Sequence, residues 1–263
     1  MGVVMTEAEE TRGETLVAMV MLPSLEASPS EAIVEAYQQR RGAREEVGEV
    51  TLEQEILFFE AGGGRATVAK MGAPIPWSEL EGPCQTSWWW ETACQDLQAH
   101  PNHFVVAVMG AAGDPLDAAL QLTDLVAAVL ETTPALGVYW GSGTLVTQRE
   151  LFLDLAREAG RETPPIMAWV DIRVFPNDDG TRTVFTTGLD AFGLMEIESE
   201  GARGESEEIW AFVQNLASYL LNQGPVINDG DTVGPDAAER IKVRFAASIF
   251  PERESQVYRL EYD

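Results

Sequence analysis

The chain has 263 residues, of which 17 are basic and 43 are acidic, so its formal net charge is −26 at pH 7. Hydrophobic residues make up 45% of the chain, which excludes a wholly disordered acidic protein and provides for a sizeable buried core. The acidity leads us to expect no binding to nucleic acid or to anionic membranes, because both require basic surfaces.

The first half of the chain predicts secondary structure in the order βαββαβ. Apolar runs predict strands, and capping residues followed by a periodic apolar face predict helices. The elements are a strand at 16–22, a helix from 28 to the glycine at 42, strands at 55–60 and 65–71 around the glycines at 62–64, a helix from 87 and a strand at 103–109. This order is typical of a ferredoxin-like domain.

A long helix is predicted at 114–131, between the two halves of the chain. Asp114 is suited to cap this helix, and Pro115 is suited to its first position. Its apolar residues lie almost all round the helix, which predicts that the helix is largely buried.

The second half repeats the order of elements without clear residue-by-residue identity. The elements are a strand at 135–140, a helix after the capping box at 147–150, strands at 166–175 and 182–187 joined by a turn at 177–180, a strand at 194–198, a helix capped by Ser206, and strands at 241–250 and 257–262.

These elements predict an α+β fold made of two ferredoxin-like βαββαβ halves in tandem, joined by a buried helix. The predicted divisions are an acidic flexible arm at 1–14, a first half with the linking helix at 15–133, and a second half at 134–263. The sequence has neither the pattern of a signal peptide nor an apolar stretch long enough to span a bilayer, so we expect a cytoplasmic protein.

The histidines and cysteines lie close together in the sequence and raise the question of a zinc site. The chain has two cysteines, Cys84 and Cys94, and two histidines, His100 and His103. Structural zinc usually draws its cysteines from close pairs, whereas these two are ten positions apart. We therefore expect reduced thiols, no metal and no cofactor, with Cys94 packed as a small hydrophobic residue.

Three consecutive tryptophans, Trp88, Trp89 and Trp90, begin the helix predicted from residue 87. Consecutive residues of a helix cannot share one face, so at least one ring is expected to be partly exposed. One interpretation is a contact surface, because tryptophan is frequent at binding hot spots. The favoured interpretation is that two rings belong to the core and one covers a loop.

A glycine-rich junction is the first candidate ligand site. Tyr139 and Trp140 end a predicted strand, and Ser142 lies between two glycines before the next helix. Backbone N–H groups at such a junction can hold an anionic group, although the lysine of a phosphate-binding loop is missing.

Two acidic clusters are the other candidate sites. Glu196 and Glu198 would point the same way on a strand, as a pair for cation binding or acid–base chemistry. Asp229 and Asp231 resemble half of a calcium loop, but turn chemistry alone also explains them. In so acidic a chain such pairs are expected by chance on a solvated face.

Three phrases stand out in the second half, and they are TTGLDAFGLMEIE at 186–198, NLASYLL at 215–221 and DGDTVG at 229–234. In this order, and in an overall likeness that spans about residues 160–235, they resemble a bacterial family, the domain of unknown function 4261. The resemblance implies a bacterial or phage-borne cytoplasmic protein and carries over no activity, cofactor or catalytic residue.

The strong acidity and the poor inventory of nucleophiles favour a non-enzymatic binding protein of immunity or stress type that engages a basic protein partner. The alternative is a small-ligand binder or enzyme with a cleft between the two halves, lined by Tyr139, Trp140 and the pair Glu196 and Glu198. The oligomeric state stays open.

Overall fold

The computed structural model describes residues 15–24, 30–42, 47–109, 114–234 and 240–262. The predicted arm at 1–14 and the predicted cap at 28–29 lie outside these residues. The strands are β1 (Leu16–Leu22), β2 (Val50–Glu53), β3 (Ile56–Ala61), β4 (Gly64–Met71), β5 (Asn102–Met109), β6 (Gly137–Trp140), β7 (Leu145–Gln148), β8 (Asp171–Pro176), β9 (Arg182–Thr187), β10 (Ile197–Ala202), β11 (Thr232–Val233), β12 (Ile241–Ala247) and β13 (Gln256–Glu261). The helices are α1 (Ser30–Arg41), α2 (Trp77–Gln85), α3 (Ala93–Leu97), α4 (Pro115–Thr132), α5 (Arg149–Glu158), α6 (Ile166–Trp169) and α7 (Ser206–Gln223).

The first sheet has seven strands in the order β2-β3-β4-β5-β1-β6-β7, and all of its neighbouring strands are antiparallel. Helices cover both of its faces, which explains why β1 is apolar on both sides. Ala18 and Val20 of β1 lie in the main core with α1 and α4, whereas Met21 packs in a second apolar cluster with residues of α2 and α3.

Helix α4 confirms the predicted buried helix and the predicted cap. The Asp114 side chain accepts a hydrogen bond from the backbone N–H of Leu116 at 3.0 Å, and Pro115 occupies the first position. The helix is buried along most of its length and packs against α1 and the first sheet.

The second sheet has six strands in the order β11-β12-β13-β10-β9-β8. Strands β10 and β13 are parallel, and the other neighbouring pairs are antiparallel. Helix α7 packs on one face of this sheet, chiefly against β8.

Trp169 joins the two sheets. Its ring stacks on Trp140 of β6 at a centroid distance of 6.1 Å and on Phe192 at 5.5 Å. Its indole N–H donates to the Thr123 hydroxyl of α4 at 2.8 Å. Residues of both sheets therefore belong to one continuous apolar core.

The α+β class is confirmed, but the ferredoxin-like order of strands is not. A ferredoxin-like sheet places its first strand between its third and fourth strands. The predicted first, third and fourth strands are β1, β4 and β5, and here the fourth strand, β5, lies between β4 and β1. Strand β6, which the sequence assigns to the second half, pairs with β1 in the first sheet. The division of the chain at 133 and 134 stays a prediction.

Several local expectations need correction. The sequence missed the short edge strand β2, the helix α2 that follows the prolines at 74 and 76, and the strand β7 that contains Thr147, a predicted helix cap. The helix expected from residue 87 begins only at Ala93, and α6 replaces the start of the strand expected at 166–175.

Of the helices within the described ranges, none combines the length and the apolar character that crossing a bilayer requires.

Candidate functional site

A crevice opens where the edge strand of the first sheet meets the edge strand of the second. One wall comes from β7 and the segment after α2, and the other from α6, β8 and α7. Its cavity volume is about 50 Å³. The lining residues are Pro83, Thr86, Ser87, Trp88, Trp89, Leu145, Val146, Met167, Val170, Asp171, Ile172 and Trp210.

Trp90 anchors the segment that carries the three tryptophans. It is 4% exposed, and its indole N–H donates to the Asp96 carboxylate at 2.7 Å. The Thr92 hydroxyl donates to the same carboxylate oxygen at 2.6 Å. The ring lies directly against Gly137 of β6, where an added Cβ would come within 2.6 Å of the ring atom Cζ3. This segment is therefore fixed to the first sheet at its third tryptophan.

Trp88 and Trp89 point outward from this anchored segment and are 46% and 56% exposed. The interpretation that two rings belong to the core is therefore wrong, because only Trp90 is buried. Helix α2 ends at Gln85 and α3 begins at Ala93, so Trp88 and Trp89 lie in a turn rather than on a helix face that could bury them.

Trp210 of α7 lies on the opposite wall of the crevice and contacts one of the exposed rings. The Trp89 and Trp210 ring centroids are 5.8 Å apart with an angle of 65° between the planes, which is an edge-to-face contact. Three tryptophan side chains therefore surround the crevice.

Asp171 is the ionisable side chain among the described residues that line the crevice, and its carboxylate is ion-paired with Arg173. It begins β8 and accepts a hydrogen bond from Nε of Arg173. Burial raises the pKa of the Asp171 carboxyl, and the neighbouring Arg173 works in the opposite direction. Within the described part of the chain, none of the lining residues is lysine or arginine.

Two exposed acids lie close to the tryptophans in the sequence. Glu91 follows the anchored tryptophan, and Glu207 lies three residues before Trp210, a spacing that places side chains on the same face of a helix. Aromatic faces next to carboxylates attract a cationic side chain, through the ring quadrupole and through ion pairing.

The predicted carboxylate Glu196 lies in the interior, just before β10. It is 3% exposed, and burial raises its pKa, opposed by hydrogen bonds from Thr186 and Gly188. One carboxylate oxygen accepts from the Thr186 hydroxyl at 2.5 Å. The other accepts from the backbone N–H groups of Gly188, Leu189 and Asp190 at 2.7, 2.9 and 3.3 Å. Glu196 thus holds the turn after β9 in place.

Glu198 is fully buried and has a separate set of donors. Its carboxylate accepts from the Ser248 hydroxyl at 2.6 Å and from the Ile249 backbone N–H at 2.8 Å. It also pairs with Arg253 at 3.0 Å and with Arg259 at 3.3 Å. These contacts fix the connection between β12 and β13 to the sheet face opposite α7.

The glycine-rich junction lies in the packed interior. Tyr139 is 7% exposed and packs in the second apolar cluster, and Trp140 is 2% exposed in the main core. Ser142 is half-buried. A Cβ added at Gly143 would lie 2.3 Å from the Trp169 carbonyl oxygen, so this backbone is in close contact with the end of α6.

The turn held by Glu196 packs on this junction. A Cβ added at Gly188, whose φ is +114°, would lie 2.6 Å from the Trp169 carbonyl oxygen and 3.0 Å from Cα of Gly143. The glycine-rich junction and the turn held by Glu196 therefore do contact each other, but through closely packed backbone atoms. Ligand binding by these residues stays a prediction.

Asp229 and Asp231 are exposed and serve the turn that leads to β11. Asp229 accepts from the Phe245 N–H at 3.0 Å, and Asp231 accepts from the Asn228 N–H at 2.7 Å. These bonds match the turn chemistry expected from the sequence.

Both histidines make hydrogen bonds to the backbone. Nε2 of His100 accepts from the Ile75 N–H at 2.8 Å, so Nδ1 carries the proton that is donated to the Leu97 carbonyl at 2.6 Å. Nδ1 of His103 lies 2.8 Å from the Ala73 carbonyl oxygen, and burial lowers the pKa of this imidazole. Across the described residues, no group of three or more His, Cys, Asp or Glu side chains could hold a metal ion.

Comparison with known proteins identifies part of the chain. Residues 185–261 match the model of a family described as a domain of unknown function, DUF4261. The resemblance predicted from the sequence is confirmed, with the match extending further toward the carboxyl end than expected. No curated protein and no solved structure matches the chain.

The DUF4261 segment contains Glu196, Glu198 and the arginines that pair with Glu198. It contributes Trp210 to the crevice, whereas the other lining residues precede it in the chain. The crevice therefore lies at the boundary between the DUF4261 segment and the rest of the protein.

Sequence reasoning missed Asp171 and Trp210 as members of a site. Trp210 lies in the predicted amphipathic helix, and its size was the one signal that set it apart. Asp171 lay inside a predicted strand, and no local pattern distinguishes it from the many other acids of the chain.

Proposed function

We propose that this protein is a non-enzymatic binding protein that holds a basic segment of a protein partner at the tryptophan crevice. A bacterial cytoplasmic setting and an immunity- or stress-type role are part of this proposal.

The observation that carries the proposal is the exposure of Trp88 and Trp89 on a segment that Trp90 fixes. Large apolar rings on a rigid surface lose little conformational entropy on binding and bury a large area, so they are typical of interface hot spots. Trp210 extends the same aromatic surface across the crevice.

The charge around these rings supports a basic occupant. Asp171 lines the crevice, the exposed Glu91 follows Trp90 in the sequence, and the exposed Glu207 lies three residues before Trp210 on α7. A guanidinium or ammonium group bound against the exposed rings would gain a cation–π contact, and the acidic side chains of this region would favour its positive charge. The net charge of −26 would also accelerate the encounter with a basic partner.

The alternative of a ligand cleft built on Glu196 and Glu198 has less support. Every oxygen of the two carboxylates already accepts at least one short hydrogen bond within the protein. A ligand there would have to displace these bonds.

The proposal is tested by titrating the protein with a short oligoarginine peptide and measuring affinity by calorimetry. We expect Trp88→Ala with Trp89→Ala to weaken binding about tenfold or more, the effect of roughly 1.4 kcal/mol of lost aromatic contact. The matched control is Phe175→Ala with Tyr219→Ala, which removes two aromatic rings that are 44% and 50% exposed elsewhere.

General attraction between an acidic protein and a basic peptide affects both double variants equally, so the difference between them isolates the crevice. Equal affinity of the two double variants would overturn the proposal. Pulldown from the native host with the same baits then tests a natural partner, which should be retained by the control and lost with the tryptophan variant.

A further inference from the structure

Cys84 and Cys94, the two cysteines of the chain, lie at the same apolar cluster although ten positions separate them. Cys84 is on α2 and Cys94 on α3, and these two helices pack against each other. Both thiols are free, and Cys94 is close enough to Cys84 to contribute to the raised pKa of the Cys84 thiol. Close approach of two thiols is the geometric precondition for a disulfide.

The two sulfurs differ in access. Cys84 is 5% exposed and belongs to the second apolar cluster, where burial raises the pKa of its thiol to about 12. Cys94 is only partly buried at the edge of the same cluster. An external reagent therefore reaches Cys94 first, and Cys84 reacts as the internal partner.

We propose that Cys84 and Cys94 form a reversible intramolecular disulfide by exchange with a low-molecular-weight disulfide. The Cys94 thiolate attacks one sulfur of that disulfide and forms a mixed disulfide, releasing one small thiol. The Cys84 sulfur then attacks the Cys94 sulfur, its proton passes to the departing small thiolate, and a second small thiol leaves. The protein loses two hydrogens and two electrons, and the small disulfide is reduced to two thiols.

The second step is the slower one. Cys84 must lose its proton before it attacks, and its raised pKa keeps the thiolate fraction small at neutral pH. Below that pKa the thiolate fraction rises about tenfold for each pH unit, so closure of the mixed disulfide accelerates with pH.

The bond would tether the two ends of the segment that carries Trp88, Trp89 and Trp90. Since the cytoplasm keeps thiols reduced, such a bond would mark oxidising conditions rather than a permanent staple. The inference concerns the thiols alone and does not depend on binding at the crevice.

The test incubates the full chain with glutathione disulfide, alkylates the remaining thiols after an acid quench, and measures the intact mass. We expect both alkylation sites to disappear together, no glutathione to remain attached, and the chain to stay monomeric on a non-reducing gel. Added dithiothreitol should restore both thiols.

Two serine variants separate the roles of the cysteines. Cys84→Ser should stop at a mixed disulfide between glutathione and Cys94, whereas Cys94→Ser should leave Cys84 as a free thiol. Wild-type protein that keeps two free thiols, retains glutathione or forms a linked dimer would overturn the proposal, and this result does not depend on whether the variants fold.

Discussion

The carboxylates of the second sheet and the tryptophans of the crevice show opposite relations between side chain and environment. Glu196 and Glu198 are ionisable groups and lie inside, whereas Trp88 and Trp89 are large apolar groups and lie outside. Both pairs stand out in the sequence, yet their consequences differ. A buried polar group with all of its partners present stabilises the fold, whereas an exposed aromatic pair next to a crevice is available to another molecule.

The two pairs of side chains differ in how completely other groups of the protein engage them. Glu198 alone accepts from a hydroxyl, a backbone N–H and two arginines, so its carboxylate is fully engaged. The exposed ring of Trp89 has an edge contact with Trp210 and otherwise leaves about half of its surface open to solvent.

The largest expected effect is on stability at Glu198. Glu198→Ala leaves Arg253 and Arg259 without their buried counter-charge, so we expect a loss of about 3–5 kcal/mol in the free energy of unfolding. Denaturation in urea measures it. The control is Glu200→Ala, which removes a carboxylate whose side chain is 65% exposed and should cost less than about 1 kcal/mol. Equal losses would show that the Glu198 network is not the stabilising element.

A smaller loss is expected where the glycine-rich junction meets Trp169. Gly143→Ala forces a Cβ to within 2.3 Å of a carbonyl oxygen, so we expect destabilisation of about 1–3 kcal/mol. Gly82→Ala on α2 meets nothing within 4 Å and should instead stabilise the protein by about 0.5–1 kcal/mol. A neutral Gly143→Ala would mean that this junction is open and free for a ligand.

The raised pKa of Glu196 predicts a dependence of stability on pH. Above the ordinary value of 4.5 the unfolded carboxyl is ionised while the folded one still holds its proton, so the folded state binds more protons. The stability contributed by this group therefore falls as pH rises from 4.5 through the raised pKa, by about 1.4 kcal/mol for each pH unit crossed.

Glu196→Gln carries no ionisable group and should lack this slope. The measurement is the difference in unfolding free energy between wild type and variant at a series of pH values, which should shrink with rising pH. Glu254→Gln removes an exposed acid and serves as the control. A difference that is constant with pH would contradict the raised pKa.

The smallest expected effect on stability belongs to the exposed tryptophans. Trp88→Ala with Trp89→Ala removes mostly solvated rings, so we expect a cost of about 1 kcal/mol, chiefly from the contact with Trp210. Trp90→Ala, which empties a buried site in the same segment, should cost about 3–5 kcal/mol. Thermal unfolding of the two variants distinguishes them, and a large loss in the double variant would place these rings in the core after all.

Sequence patterns correctly predicted the secondary-structure elements that a few neighbouring residues specify. The apolar run of β1, the cap and first proline of α4 and the glycine turn between β3 and β4 all depend on a few neighbouring residues. The resemblance to DUF4261 was also visible in the sequence, because the three phrases that carry it occur one after the other along the chain.

The order of the sheets and the burial of the glutamates depend on distant residues. Glu198 pairs with arginines 55 and 61 positions away, so no window of sequence shows that its charge is matched. Strand β5 lies between β4 and β1 because of how the chain packs, and the order of elements alone fits either arrangement. Trp88 and Trp89 are exposed because they lie in the turn between the end of α2 and the start of α3. The prediction of one continuous helix over that stretch could not show this turn.

The limits of the DUF4261 match bear on how this protein can be divided for study. The match begins inside β9 at Phe185, so a fragment cut there would lack β8, which pairs with β9 and supplies the main surface for α7. It would also lack Trp169, on which Phe192 stacks. We therefore expect that the matched segment does not fold on its own, and that a recombinant 185–261 fragment exposes the apolar side of α7 and aggregates.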